Sequence, residues 1–92
     1  MELEPAGARG FKNVTEAQLR ETFRAAGGFG EFIILSQARQ VYMQAAGEDD
    51  GPYRLEYRDG DEEHHFTAGD DFKKDDVLRA MLAVREAHGW NA

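Results

Sequence analysis

The feature of this sequence that most limits its fold is an Asp-Gly pair at residues 59–60, set between two runs of alternating residues. In the run before it, residues 53–58, every second side chain is aromatic or aliphatic. Asp-Gly accepts the positive φ angles of a two-residue turn, so the pattern predicts a tight antiparallel hairpin with its turn at residues 58–61. The expected register sets Tyr57 opposite Glu62, Leu55 opposite His64 and Tyr53 opposite Phe66.

The period of two extends over residues 29–68, where runs rich in aromatic and β-branched residues alternate with turn residues. These runs predict four strands, near 30–36, 40–46, 53–58 and 61–68. Carrying the hairpin register from strand to strand assigns one sheet face to the core and the other to the outside. The predicted core face comprises Phe32, Ile34, Val41, Met43, Ala45, Tyr53, Leu55, Tyr57 and Phe66.

One helix is expected before the strands in the sequence and one after them. The first begins at Thr15, because Thr15 and Gln18 match a capping box, and the glycine pair at 27–28 would end it. The second carries a wide apolar stripe over residues 77–84. The order α-β-β-β-β-α predicts an α+β fold, a two-layer sandwich in which both helices cover one face of a four-stranded antiparallel meander.

Length and composition indicate one domain of ordinary globular type. Ninety-two residues allow a single hydrophobic core. Residues 1–13 lack an apolar period and are expected to form a loose N-terminal arm, which leaves 14–92 as the domain. The chain contains no cysteine, which favours the cytoplasm, and its apolar runs are too short to predict a membrane span. Its acidic start also lacks the positive charge of an export signal.

The acidic residues are unevenly distributed along the chain. The formal net charge is −7. Residues 1–47 hold five acids and five bases, whereas residues 48–92 hold thirteen acids and six bases. This balance argues against nucleic acid as a partner, because phosphate binding requires clustered Lys and Arg. A basic protein partner remains open.

The segment Glu62-Glu63-His64-His65 is the one most easily taken for a catalytic or metal site. In a strand, alternation would place Glu62 and His64 on one face and Glu63 and His65 on the other, too few ligands on either side for zinc. We therefore expect no metal, cofactor or catalytic group. The alternative is a small-molecule-binding or metal-assisted enzyme that uses Glu62 and His64 at the sheet face, which a deep cavity converging on His64 would favour.

Two surfaces are candidates for binding a partner. The first is an apolar patch on the outer sheet face, which either forms an interface or is covered by the N-terminal arm. It would consist of Ile33, Leu35 and Tyr42. The second is an acidic end of the sheet, where the loops after the second and fourth predicted strands converge. It would consist of Glu48, Asp49, Asp50, Asp70 and Asp71.

Together these observations predict a non-enzymatic protein-binding domain. Its partner would be either a second copy, which we favour slightly, or a basic protein. In size, acidity and layout the chain resembles small bacterial immunity and antitoxin-type proteins, which neutralise a toxin by occupying its surface. The resemblance is one of class and rests on no sequence motif.

Overall fold

The computed structural model describes residues 1–25, 29–47 and 52–89. Across these residues it has an α+β fold with five strands, two helices and a 3₁₀ turn at Glu62–His64. The strands and helices are β1 (Glu2–Pro5), α1 (Glu16–Arg24), β2 (Phe32–Ala38), β3 (Val41–Gly47), β4 (Tyr53–Asp59), β5 (His65–Phe72) and α2 (Lys74–Gly89).

The strands form one antiparallel sheet in the order β1-β2-β3-β4-β5. The meander predicted from residues 30–68 is present, but β1 adds a fifth strand beside β2. The expectation of a loose arm over residues 1–13 is therefore wrong. Leu3 is fully buried opposite Leu35, and its backbone exchanges two hydrogen bonds with Phe11, at 2.8 and 3.0 Å. Burial of alternate side chains is what makes this short segment a strand.

The faces of β2 are the reverse of those predicted. Ile33 and Leu35 pair with Ala45 and Met43 on the core face, and they are 0% and 1% exposed. Phe32, predicted in the core, is 42% exposed. The register shifts between Ser36 and Ala38, just before the tight turn into β3, and a one-residue shift moves every side chain of a strand to the other face.

The predicted hairpin register between β4 and β5 is also wrong. Gly60 has the expected positive φ, +105°, but the chain then enters the 3₁₀ turn before β5 begins. The Asp61 carboxylate accepts hydrogen bonds from the backbone N–H groups of Glu63 and His64 at 3.0 and 3.1 Å. These bonds stabilise a wider turn than the predicted two-residue turn. The observed pairs are Tyr57 with Phe66, Leu55 with Gly69 and Tyr53 with Phe72.

Both helices contribute to one hydrophobic core on the same face of the sheet. The capping box of α1 is confirmed, because the Thr15 side chain accepts from the N–H of Gln18 while the Gln18 side chain accepts from the N–H of Thr15. The glycines predicted to end this helix lie outside the described residues. The buried core comprises Leu3, Val14, Leu19, Phe23, Phe29, Ile33, Leu35, Ala45, Tyr53, Leu55, Val77 and Met81.

Helix α2 crosses the sheet diagonally. It begins just after β5 ends, and its Arg85 side chain donates from Nε to the carbonyl of Val14 at 2.9 Å. Val14 in turn donates to the carbonyl of Met1, beside the start of β1. The helix therefore runs from the end of β5 towards the start of β1, and the corner of the sheet where β4 ends and β5 begins is left without a helix over it.

Candidate binding surfaces

The outer face of the sheet carries an apolar strip, although not the one predicted. Ile33 and Leu35 are in the core, so they do not form the expected exposed patch. Their neighbours Phe32 and Ile34 take their place on the outer face, which also carries Tyr42 of β3. We call Phe32, Ile34 and Tyr42 the outer strip. Residues 2–5 of the segment expected as an arm form β1 at the sheet edge, and Phe32 stays 42% exposed.

A groove of about 660 Å³ opens on the β1, β2 and β3 side of this face. Ile34 and Tyr42 contribute to its lining, as do the two carboxylates of β1. Glu2 hydrogen-bonds to Glu4, and this bond together with the negative charge of Glu2 raises the pKa of Glu4 above its ordinary value. Lys12 also lines the groove, so the groove is polar and carries charges of both signs.

Beside the groove, side chains of β3, β4 and β5 form a hydrogen-bonded network. Gln44 Nε2 donates to Glu56 Oε2 at 2.7 Å, and His65 Nε2 lies 3.3 Å from the same oxygen. Arg58 donates from Nε to His65 Nδ1 at 3.1 Å and from Nη1 to Gln40 Oε1 at 3.0 Å. The Gln44 bond is the main cause that lowers the pKa of Glu56, against the opposing effect of burial. These groups are directed at one another, which orders the outer surface of the sheet.

The structure does not place Glu62 and His64 at the sheet face. Both are exposed in the 3₁₀ turn, where His64 Nδ1 lies 2.7 Å from Asp61 Oδ1. This bond is the main cause that lowers the pKa of Asp61. In the described part of the chain, no group of three or more His, Asp and Glu side chains is arranged to hold a metal ion. The position predicted for an enzyme site is therefore wrong.

The predicted acidic end is only partly described. Glu48, Asp49 and Asp50 lie outside the described residues. Asp70 and Asp71 belong to β5 itself rather than to a loop after it, and both are exposed. The expected loop position of these two aspartates is wrong because β5 extends to Phe72.

A second surface, which the sequence did not reveal, lies at the corner that α2 leaves open. Phe66 is opposite Tyr57 on the face that carries the core, and it is 55% exposed. Met43 pairs with Tyr57 from the other side and packs partly against the core. We call Val41, Met43, Tyr57 and Phe66 the aromatic corner. The sequence predicts all four residues on the core face, and this is correct. It does not predict that Phe66 stays exposed there.

Exposed acids border the aromatic corner. Asp59 pairs with Val41 on the same face, and its negative charge adds to the effect of burial in raising the pKa of Tyr57. The adjoining 3₁₀ turn adds three more carboxylates. We call Asp59, Asp61, Glu62 and Glu63 the acidic turn; all four are exposed. From residue 59 to residue 72 the sequence has no Lys or Arg.

Comparison with known protein families, with characterised proteins and with solved structures gives no match for this chain. Across the described residues, neither helix has the length and apolar character needed to cross a membrane.

Proposed function

We propose that this protein is a non-enzymatic binding domain that docks another protein on the aromatic corner. The observation that carries the proposal is the exposure of Phe66, which keeps 55% of its surface in solvent beside Tyr57 and Met43. Fully burying an exposed Phe side chain contributes about 1.5–3 kcal/mol, and a covering partner would gain the share that belongs to the exposed 55%. Contiguous apolar surface with a polar border is typical of protein interfaces.

The Phe66 ring lies outside the hydrophobic core. Among the described residues it belongs neither to the buried cluster nor to the partly buried hydrophobic residues packed against that cluster. An aromatic side chain outside the core, held opposite Tyr57 by strand pairing, is suited to act as an anchor for a partner.

Site-specific photo-crosslinking in the native cell tests this proposal. A photoreactive amino acid replaces Phe66 in one variant and Thr67 in a matched control. Thr67 is the next residue of β5, is also exposed, and pairs with Glu56 on the outer face. We expect a discrete crosslinked species from position 66 and none of that mass from position 67. The same species from both positions would contradict docking at the aromatic corner.

Self-association is a second form of the same function, and the outer strip is the surface that favours it. Phe32 is 42% exposed there, and Ile34 and Tyr42 extend the apolar area. The edge of β2 is not available for extending the sheet into a second copy, because β1 pairs along it. Sedimentation of the wild type against a Phe32→Glu, Tyr42→Lys variant tests this form; a dimer that only the wild type forms would support it.

The groove beside the outer strip supports a different candidate function, the binding of a small polar ligand. Its volume of about 660 Å³ is within the range of ligand sites, and it offers carboxylate, hydroxyl and amide groups. A fragment screen followed by chemical-shift changes at Ile34 and Tyr42 would reveal such a ligand. Tyr42→Ala should weaken its binding while Phe66→Ala should not.

The absence of cysteine supports a cytoplasmic site of action for either function. A role of the immunity or antitoxin type would be one form of docking on a partner's surface. The identity of the crosslinked protein would test the cytoplasmic location and the immunity or antitoxin-type role.

A further inference from the structure

We infer that the partner at the aromatic corner is a basic protein segment, which packs an apolar side chain against Phe66 and sets Lys or Arg residues against the acidic turn. The inference rests on the proposed function and identifies the chemistry of its partner. The aromatic corner provides the contact area, and the charges of the acidic turn select a basic partner.

The acidic turn is not neutralised by the cations close to it in the sequence. Arg58, immediately before it, lies on the outer face, where its guanidinium bonds to His65 and Gln40. His64 contacts the Asp61 carboxylate, and the other three carboxylates of the acidic turn have no such contact with it. Within the described part of the chain, Asp59, Glu62 and Glu63 have no ion-pair partner within 4.0 Å. Arg39 precedes Gln40, whose carbonyl accepts from the Gly60 N–H, and this one further cation still leaves a net negative charge next to the exposed aromatic ring.

The same charges argue against a second copy of this chain at the corner. A two-fold contact would bring the acidic turn of one copy towards that of the other, and like charges at an interface disfavour association. Irregularities in β5 also disfavour strand addition along this edge. The β4 to β5 register shifts twice near Leu55, and such bulges blunt an edge strand.

The first test uses a fluorescein-labelled probe peptide that alternates lysine and leucine. Fluorescence anisotropy measures its affinity for the wild type and for an Asp59→Asn, Glu62→Gln, Glu63→Gln variant. Asp61 is left unchanged because its carboxylate holds the 3₁₀ turn. We expect the substitutions to weaken binding by about tenfold, and added salt to reduce the affinity of the wild type more than that of the variant.

A control variant with an equal change of net charge separates a local effect from a global one. It carries Glu21→Gln, Glu31→Gln and Glu86→Gln, three exposed acids on α1, before β2 and on α2, away from the acidic turn. We expect this variant to bind the peptide within about twofold of the wild type. Equal weakening by the two triple variants would overturn the inference, because the peptide would then respond only to net charge.

Two further peptides test the required combination of features. One has glutamate in place of each lysine and the other has serine in place of each leucine. Both should bind the wild type more weakly than the lysine and leucine peptide does. Phe66→Ala should weaken binding of the lysine and leucine peptide. Equal affinity of the glutamate peptide would overturn the inference.

The photo-crosslink at position 66 distinguishes failure of this inference from failure of the proposed function. In the variant whose acidic turn is neutralised, a crosslink of undiminished yield would mean that docking is real but that a basic partner is wrong. Loss of the crosslink in that variant, with retention in the control variant, would support the basic partner.

Discussion

Phe66 lies directly opposite Tyr57 on the core face of the sheet, yet more than half of Phe66 remains exposed. The cause is the diagonal path of α2, which runs from the end of β5 towards Val14. Position on the core face of a strand is therefore not sufficient for burial in this fold. A second layer must also extend over the residue, and here it does not.

This geometry predicts that Phe66→Ala will destabilise the protein by only about 1 kcal/mol, because more than half of the side chain is already exposed. Leu55→Ala and Met81→Ala should cost about 2–5 kcal/mol each, since both residues are buried in the core at 5% and 0% exposure. Urea denaturation measures all three. A loss of stability for Phe66→Ala equal to that for Leu55→Ala would show that the corner is covered within the monomer.

The N-terminal strand gives a second prediction. Leu3→Ala should cost about 2–5 kcal/mol, because Leu3 is fully buried beneath the helices and opposite Leu35. Glu4→Ala, one residue away on the exposed side, should change the free energy of unfolding by less than about 0.5 kcal/mol. Hydrogen exchange at the Leu3 amide, which is bonded to the Phe11 carbonyl, provides an independent measurement. Equal effects of the two substitutions would indicate a loose arm instead of a strand.

The parts of the fold that the sequence predicts correctly depend on local interactions. The start of α1 involves Thr15 and Gln18, whose side chains satisfy each other's backbone N–H groups, so a stretch of four residues contains all of the information. Strand β1 has no such signal. Leu3 becomes part of a strand only by pairing with β2, which lies far along the chain.

The register of the sheet depended on details that alternation could not resolve. Residues 32–35 are four consecutive apolar residues, so either face of β2 satisfies the pattern, and the irregularity between Ser36 and Ala38 decides which face is buried. In the second hairpin, the hydrogen bonds of the Asp61 side chain replace the expected tight turn. The aromatic corner was missed for a third reason, because the path of α2 over the sheet is a tertiary property.

The helix cap gives a third prediction. Thr15→Ala should cost about 1 kcal/mol, because it leaves the Gln18 N–H without its side-chain acceptor. Thr15→Ser keeps the hydroxyl and should cost much less. Thr67→Ala, an exposed threonine on β5 outside any cap, is the matched control for loss of the side chain. If the alanine and serine variants have the same denaturation midpoint, the capping bond does not contribute to stability.

The last prediction concerns the acid sensitivity of Glu56. Its carboxylate is only 19% exposed, and the hydrogen bond from Gln44 holds its pKa below the ordinary value of 4.5. Because the folded pKa is lower than the unfolded one, ionised Glu56 stabilises the fold at pH values above about 4.5, and this contribution is lost as the pH falls through the folded pKa.

Gln44→Met removes the amide donor while keeping the length of the side chain. Carbon-detected NMR titration should therefore show the pKa of Glu56 rising towards or above 4.5 in this variant, since burial then acts with less opposition. The difference in unfolding free energy between variant and wild type should narrow as the pH is lowered from neutral to about 3, because protonation removes the charge that the amide stabilises. Gln40→Met is the control, because Gln40 contacts Arg58 of the same network. A Glu56 titration that is unchanged by Gln44→Met, or equally changed by Gln40→Met, would mean that the network as a whole, rather than the Gln44 bond, sets the acidity of this carboxyl group.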